Sequence, residues 1–360
     1  MDALTTPLPK GWQKVRLGDV ANYLTSNLSA EQITQQGKIK VYDVNNFIGY
    51  TDTTFISDKP YISIVKDGSV GRVRILPPKT NILSTMGALI ANHKTTTEFL
   101  FYLLSNFDFK NFTSGSIIPH IYFKDYKEKT IFLPPLDEQI AIANILSDVD
   151  RYLYSLDALI LKKESVKKAL SFELLSQRKR LKGFNQAWQK VRLGDIANYL
   201  TSNLSAEQIT QQGKIKVYDV NNFIGYTDTT FISDKPYISI VKDGSVGRVR
   251  ILPPKTNILS TMGALIANHK TTTEFLFYLL SNFDFKNFTS GSIIPHIYFK
   301  DYKEKTIFLP PLDEQIAIAN ILSGLDHEII SLKNKKRQFE NIKKALNHDL
   351  MSAKIRVLKK

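Results

Sequence analysis

The sequence contains no cysteine among its 360 residues. That absence excludes disulfide bonds, iron–sulfur clusters, thiolate zinc sites and cysteine nucleophiles. Long apolar runs are also missing, since no stretch approaches the roughly 18 residues that a membrane-spanning helix needs. The first residues, MDALTTPLPKGW, lack the charged-then-apolar order of a signal peptide. We therefore expect a soluble, cytoplasmic protein that makes no contact with a membrane.

The motifs of several large enzyme classes are absent as well. The chain has no GxxxxGK[ST], GxGxxG, HExxH or GxSxG sequence. Its Pro-Pro pairs belong to LPPL and LPPK, which differ from the Asn/Asp-Pro-Pro-aromatic motif of amino-methyltransferases. Residues 125–128 (DYKE) resemble the acidic pair of a nuclease but lack its trailing lysine and second acidic anchor. These absences favour a non-catalytic binding protein, and a cryptic nuclease is the enzymatic alternative.

The histidines do not indicate a metal centre. His93 and His120, with their counterparts His269 and His296, lie too far apart along the chain to form a local metal site. A hydrogen-bonded structural histidine or a histidine facing DNA is the favoured interpretation. We expect the chain itself to bind neither a metal nor a cofactor.

The chain does contain a long internal repeat. Residues 12–147 return as residues 188–323, and the replacement of Val20 by Ile196 is the only difference. A repeat of this length is a domain, because the units of a solenoid have roughly 20 to 50 residues. We predict one domain at residues 1–147 and its copy at residues 188–323. Segments 148–187 and 324–360 would then be connectors.

Positive charge is concentrated in these connectors. The formal net charge is +14, and residues 148–182 together with 324–360 carry +10 of it. Such an excess suits a polyanionic partner such as nucleic acid, although lysines also coat solvated faces of ordinary helices. Both interpretations remain open on composition alone.

Each repeated domain combines strand and helix patterns. Residues 38–56 and 61–76 are rich in β-branched and aromatic side chains, with Asn45-Asn46 predicted to form a turn. Thr95 and Glu98 have the spacing of a capping box before the apolar run EFLFYLLSNF. The predicted fold class is therefore α+β, with loops that project from a sheet.

A long helix is predicted after each Pro-Pro pair. Asp137 and Glu138 occupy a first turn, where negative charge favours the positive end of the helix dipole. Apolar residues then recur at helical spacing, and no proline or glycine interrupts them before Gly183. The apolar positions are Ile142, Leu146, Val149, Leu153, Leu156 and Ile160, then Leu322, Leu325, Ile329, Leu332, Phe339, Ile342, Leu346 and Leu350.

Neither helix has another apolar partner in the sequence, so we predict that they pack on each other as an antiparallel coiled coil. Two equal units joined in this way would resemble a homodimer whose subunits are fused, with a pseudo-two-fold axis. B-DNA has two-fold axes of its own, and such a protein would present one reading surface to two inverted half-sites.

Two loops and one turn in each domain carry the side chains suited to DNA. Residues 66–74 (KDGSVGRVR) place cations and glycines together, residues 113–124 (TSGSIIPHIYFK) end in His, Tyr and Lys, and the Asn45-Asn46 turn precedes Tyr50. A charged hairpin, a plain loop and an ordinary turn are the alternatives. The candidate DNA-binding residues are Asn45, Asn46, Tyr50, Lys66, Ser69, Arg72, Arg74, Ser114, Ser116, His120, Tyr122 and Lys124, with Asn221, Asn222, Tyr226, Lys242, Ser245, Arg248, Arg250, Ser290, Ser292, His296, Tyr298 and Lys300 in the copy.

Taken in order, these motifs resemble the specificity subunit of type I restriction-modification systems. The resemblance covers nearly the whole chain: WxxxxLGD from Trp12, then SGSIIPH, LPPLDEQIAIANILS and a helix ending in VKKALSFELLSQRKRLKGF. It implies two target-recognition domains that read a split double-stranded DNA sequence, separated by helical regions that form an antiparallel coiled coil. It also implies two modification subunits that methylate adenine, and restriction subunits that cleave, so S-adenosylmethionine, Mg²⁺ and ATP would bind only to those partners.

The chain departs from this family in one respect. Members generally carry two different recognition domains, whereas these two are nearly identical, so we expect an interrupted palindrome as the target, with half-site centres about one turn apart. The rival interpretation is a stand-alone DNA-binding regulator or architectural protein.

Overall fold

The computed structural model describes residues 8–357, and these divide into two compact units. Unit 1 contains residues 8–157 and 334–357, and unit 2 contains residues 158–333. Each unit therefore holds one copy of the repeat together with a part of both helical connectors.

Unit 1 contains three small sheets. Its elements are β1 (Gln13–Arg16), β2 (Ala21–Thr25), β3 (Ile39–Tyr42), β4 (Phe47–Thr51), β5 (Tyr61–Val65), β6 (Val73–Leu76), β7 (Asn81–Ile82), β8 (Met86–Ala91), α1 (Thr97–Ser105), α2 (Phe123–Tyr126), β9 (Thr130–Leu133) and the start of α3 (Leu136–Leu175). The strand orders are β2-β8-β5-β6, β4-β3-β7 and β1-β9, and only β3 and β7 pair in parallel. This arrangement confirms the predicted α+β class.

Unit 2 repeats the same order. Its elements are β10 (Gln189–Arg192), β11 (Ala197–Thr201), β12 (Ile215–Tyr218), β13 (Phe223–Thr227), β14 (Tyr237–Val241), β15 (Val249–Leu252), β16 (Asn257–Ile258), β17 (Met262–Ala267), α4 (Thr273–Ser281), β18 (Thr289–Ser290), β19 (His296–Ile297), α5 (Phe299–Tyr302), β20 (Thr306–Leu309) and the start of α6 (Leu312–Met351). The short pair β18-β19 has its counterpart in unit 1 as an isolated bridge between Ser114 and His120.

Strand β5 lies at the centre of unit 1 and is buried along its whole length. Ile62 and Ile64 join the core cluster that contains α1, while Tyr61 and Val65 belong to a second cluster on the opposite face. This is the period-two alternation of a strand that is covered on both sides. The Tyr61 hydroxyl lies 3.0 Å from the Thr80 hydroxyl, and burial raises the pKa of Tyr61 to about 12.

Helix α1 corrects one prediction. Its N-cap is Thr96, whose side chain accepts a hydrogen bond from the Phe99 amide, so the predicted capping box starting at Thr95 is wrong by one position. The Thr95 hydroxyl instead donates to the side-chain oxygen of Gln139 at 2.9 Å. Gln139 is fully buried and also donates to the Lys94 carbonyl, which attaches the first turn of α3 to the domain.

The two long helices pack against each other within each unit, as predicted. In unit 1, Lys343 pairs with Asp150 and Lys336 with Asp157. In unit 2, Lys163 pairs with Glu328 and Lys167 with Asp326. The partner's number falls as the residue number rises, which is the register of an antiparallel pair.

The predicted apolar stripe divides between the domain cores, where Ile142, Leu146, Leu322 and Leu350 pack, and the helix pair. Leu156, Ile160 and Ile329 are buried, whereas Ile342 is 51% exposed and does not belong to the seam. Helix α3 spans 40 residues, about 60 Å, and ends at Leu175, well before Gly183. Among residues 8–357, no helix is both long and apolar enough to cross a membrane.

The chain turns back after each long helix through a non-glycine residue with positive φ. Gln177 follows α3 with φ of 62°, and Ala353 follows α6 with φ of 59°. Helix α6 therefore ends before the predicted segment limit of residue 360, and residues 358–360 lie outside the described part. The turn brings Arg356 to the buried carboxylate of Glu138, with Nη2 2.8 Å from Oε2.

Candidate nucleic-acid interface

The turn between β3 and β4 is held by an aspartate. Asp43 Oδ1 accepts hydrogen bonds from the amides of Asn45 and Asn46, at 2.8 and 2.7 Å. An Asx side chain that caps the amides ahead of it is a standard turn former. The structure therefore confirms the predicted turn, and both asparagines are exposed there.

Two arginines of the β5–β6 hairpin reach this turn. Arg72 Nη2 donates to Asn45 Oδ1 at 2.8 Å, and Arg74 Nη1 donates to the Asn45 carbonyl at 2.8 Å. The Arg74 guanidinium also lies 5.3 Å from the centre of the Tyr42 ring. We call Tyr42, Asn45, Arg72 and Arg74 the Asn–Arg cluster; it brings together three of the predicted DNA-binding residues.

The Asn–Arg cluster orients its cations without neutralising them. A guanidinium has five N–H donors, so one hydrogen bond to an amide oxygen fixes Arg72 and leaves donors for an outside acceptor. Asn45 Oδ1 is already engaged, which works against the bidentate adenine contact that asparagine makes with both side-chain atoms. The geometry thus assigns Asn45 to positioning the arginines.

The loop between β5 and β6 depends on its glycines. Gly71 has φ of 81°, and a Cβ added there would lie 2.6 Å from the Phe109 ring. The Gly71 amide donates to the Val65 carbonyl, and the Val65 amide donates to the Arg72 carbonyl. Glycine is needed because only it accepts both this backbone conformation and this close approach.

The two predicted loops form one structure. His120 Nδ1 lies 2.6 Å from Asp67 Oδ1, and the Gly68 amide donates to the Pro119 carbonyl at 2.9 Å. His120 is therefore a structural histidine in contact with a carboxylate. This was one of the two interpretations that the sequence favoured. The loop with the cations and the loop with the serines are held against each other.

The second loop is itself closed at its base. Ser114 and His120 exchange backbone hydrogen bonds of 2.8 and 2.7 Å, which leaves Ser116 exposed between them. Beyond the base, Lys124 Nζ lies 5.5 Å from the centre of the Tyr122 ring, and Tyr122 is 50% exposed. Both side chains are exposed to solvent.

Residues outside the predicted set share this exposed region. Phe47 is 44% exposed, lies 5.1 Å from the Tyr50 ring and has Lys40 Nζ 6.0 Å from its ring centre. At the tip of the second loop, Ile117 is 93% exposed and Ile118 55%. The alternation of lysine and aromatic residues along β3 and β4 could have identified Phe47 as a candidate DNA-binding residue. No sequence pattern predicted the exposed isoleucine pair at the tip of the loop.

One carboxylate of the predicted acidic pair has a structural partner. Glu128 Oε2 lies 3.0 Å from Arg16 Nη1, and Arg16 also contacts Asp19. Within residues 8–357, no group of three or more His, Asp and Glu side chains is arranged to hold a metal ion. The nuclease alternative therefore gains no support from this region.

Unit 2 reproduces the interface. Arg248 Nη2 donates to Asn221 Oδ1 at 2.8 Å, and the His296 ring lies 2.7 Å from Asp243. Val20 and Ile196, the only difference between the copies, are fully buried and directly follow a short 3₁₀ turn. The exposed candidate DNA-binding residues of the two units are therefore chemically identical.

The chain matches a known protein family twice. The sequence profile described as "Type I restriction modification DNA specificity domain" matches residues 9–163 and again residues 185–341. The MjaVIII type I restriction enzyme specificity subunit of Methanocaldococcus jannaschii is 26% identical over 97% of this chain and 94% of its own length. The putative MjaX specificity subunit of the same organism is 28% identical over 97% of this chain and 95% of its own length.

Solved structures share the fold. The S subunit of a type I restriction-modification system from M. genitalium aligns with a TM-score of 0.67 and 23% identity, over 97% of this chain and 98% of that one. A chain from a study of complex assembly and conformational transition in the type I R-M system aligns with a TM-score of 0.59 and 17% identity, over 96% and 99%.

Proposed function

The chain belongs to the type I restriction-modification DNA specificity family, and from this premise we propose that it reads a bipartite double-stranded DNA target with the same surface twice. Family membership makes it a specificity subunit, which provides DNA recognition and is not itself catalytic. The recognition surface in unit 1 would be the Asn–Arg cluster together with the two joined loops, and unit 2 would use the corresponding residues.

The observation that carries this proposal is the Asn–Arg cluster. It places two guanidinium groups at an exposed turn, each oriented by one hydrogen bond to Asn45. Arginine is the side chain that most often reads guanine in the major groove, through two parallel hydrogen bonds. Lys124 and Lys66, on the joined loops, would contact phosphates and set the register of the domain on the duplex.

The proposed partners are two modification subunits and the restriction subunits of the complex. The modification subunits would bind S-adenosylmethionine and methylate adenine, and the restriction subunits would use ATP and Mg²⁺. The connectors support this role, because they carry +10 of the net charge of +14 and their helices continue from one unit into the other. Such helices can serve as the scaffold on which the other subunits assemble.

Because the two recognition surfaces are identical, the proposed target is an interrupted palindrome. Two fused units related by a two-fold axis would present the same side chains to two half-sites of opposite orientation. The two halves of the methylated motif should then be reverse complements. Mapping methylated adenines across the genome of cells that express this chain with its modification subunits measures the motif directly.

Two results would contradict the proposal in different ways. A bipartite motif with unrelated halves would refute the symmetric target while leaving the specificity function intact. A chain that purifies without modification subunits and leaves adenine methylation unchanged would instead be the stand-alone regulator.

A further inference from the structure

The tip of the second recognition loop is apolar in a place where nothing in its unit covers it. Ile117 is 93% exposed and Ile118 55%, and in unit 2 Ile293 and Ile294 are 93% and 56% exposed. We call each pair the apolar tip. Ile117 is almost fully solvated and Ile118 is about half exposed, so contact with a ligand would favourably remove apolar surface from water.

The apolar tip is held in a defined conformation. The exchanged hydrogen bonds between Ser114 and His120 close the base of the loop. Gly115 has φ of 88°, and a Cβ at that position would lie 2.4 Å from the Ile118 carbonyl oxygen. The Pro119 carbonyl accepts a hydrogen bond from Gly68, which ties the tip to the neighbouring cationic loop. The same contacts recur in unit 2.

The surroundings of the tip indicate a polyanionic ligand. Lys124 and the exposed ring of Tyr122 follow the loop, and the cationic segment with Lys66 and Arg72 is joined to its base. An apolar pair within a positively charged border suits a ligand whose outer rim is anionic and whose inner surface offers apolar groups. Duplex DNA has this distribution, with phosphates outside and base edges in the grooves.

Isoleucine has no hydrogen-bonding group, so it discriminates between base pairs only by shape and apolar contact. In the major groove, the C5-methyl group of thymine is the apolar group that distinguishes one base from the other three. The minor groove presents a degenerate pattern, which serves a specificity domain poorly. The major groove is therefore the side on which an apolar tip contributes to sequence reading.

We propose that the apolar tip of each unit contacts the C5-methyl group of a thymine in the major groove, so that each half-site contains an A·T pair facing the tip. This inference rests on the proposed function and deepens it, because it assigns one base of the target to residues outside the hydrogen-bonding set. Ile117 and Ile293 are then specificity-determining residues.

The test uses the full chain in complex with its modification subunits and a duplex that carries the mapped target. Each thymine is replaced by uracil in turn, at equivalent positions in both half-sites, which removes only the methyl group. At one position the affinity should fall about fourfold per half-site, or about 0.8 kcal/mol, and roughly 16-fold when both are replaced.

The tip variant replaces Ile117, Ile118, Ile293 and Ile294 by serine. It should bind the thymine duplex more weakly and no longer distinguish thymine from uracil at that position, because the contact is already lost. Leu24→Ser is the matched control, since Leu24 is 43% exposed on β2, outside the connectors and the candidate DNA-binding residues, and should leave the thymine-to-uracil ratio as in the parent protein.

Specific binding that is insensitive to every thymine-to-uracil change overturns the assignment. A thymine effect that survives in the tip variant overturns it as well. If the tip variant weakens binding and target-site 2-aminopurine fluorescence shows unstacking without any uracil effect, the tip is a wedge between base steps and the thymine assignment is wrong. A complex with no sequence-specific binding at all refutes the proposed function and this inference together.

Discussion

At the scale of single residues, Glu138 connects the recognition domain of unit 1, the start of α3 and the segment that follows α6. It is 2% exposed and accepts a hydrogen bond from Trp12 Nε1 at 3.0 Å, besides its ion pair with Arg356. Burial by itself would raise the pKa of Glu138, but the hydrogen bonds from Arg356 and Trp12 hold it below its ordinary value. Of the two acidic residues that the sequence assigned to the helix dipole, Glu138 is thus a buried ion-pair partner, whereas Asp137 is exposed.

Arg356→Gln should lower the free energy of unfolding at pH 7, because it leaves a buried carboxylate without its charged partner. The stabilisation by a group whose pKa is lowered on folding is present above its unfolded pKa and is lost as pH falls through the folded pKa. The parent protein should therefore lose more stability than the variant on acidification below about pH 4. Urea denaturation at pH 7 and at pH 3.5 measures both effects.

The control for this experiment is Arg337→Gln, since Arg337 is exposed on α6. Its free energy of unfolding should stay within about 0.5 kcal/mol of the parent value. Equal losses for the two variants would mean that the ion pair at Glu138 does not stabilise unit 1.

Arg72 is the residue on which the DNA proposal is most directly tested. Replacing Arg72 by alanine should remove about 1 to 3 kcal/mol of discrimination at one base pair of the half-site. Lys124→Ala is the matched control, because loss of a phosphate contact weakens all sequences alike and lowers the salt slope by about one. Competition binding against single-base variants of the target, at two salt concentrations, separates the two patterns. Unchanged discrimination in the Arg72 variant would place base reading elsewhere.

Local chemistry was predictable from the sequence, whereas long-range pairing was not. The Asn45-Asn46 turn follows from residues that act within a few positions of each other. The hydrogen bond between Arg72 and Asn45 joins residues 27 positions apart, and the one between Thr95 and Gln139 joins residues 44 apart. No periodicity encodes such distances, which is why the N-cap was assigned to the wrong threonine.

At the scale of elements, some features of the long helices were predictable from the sequence and others were not. Their starting points followed from the proline pairs and the acidic first turns, and their packing on each other followed from the apolar stripe. Their ends could not be predicted, because Gln177 and Ala353 adopt positive φ where a glycine is usual. Ile342 has the helical spacing of the apolar stripe but faces solvent. The stripe is wider than the contact between the two helices, so positions at its edge stay exposed.

Neighbouring isoleucines of α6 allow a matched test of the helix packing. Ile329 is 6% exposed and Ile330 is 55% exposed. Ile329→Ala should lower the free energy of unfolding by about 2 to 4 kcal/mol, because it leaves a cavity in a packed seam. Ile330→Ala should change it by no more than about 0.5 kcal/mol. Denaturant unfolding of both variants decides the matter, and similar losses would show that the helix pair buries a different face.

At the scale of the whole molecule, duplication makes the two recognition surfaces interchangeable. The only difference between the copies is buried at Val20 and Ile196, so it cannot alter what the exposed side chains meet. On a palindromic target, Arg72→Ala and Arg248→Ala should cause equal losses of binding free energy, and the double variant should lose about twice as much. Titration of one target duplex with the three variants measures this equality, and unequal single losses would mean that the two half-sites are read differently.

The two ion pairs that close the units are chemically alike but form at different moments of synthesis. Arg180 emerges from the ribosome before Glu314, so unit 2 is completed once the chain reaches residue 333. Arg356 follows Glu138 by 218 positions, a delay of roughly 10 to 40 s at ordinary bacterial elongation rates. During that interval the first recognition domain exists without the segment that completes its unit. The second copy, although made later, is therefore the first to become whole.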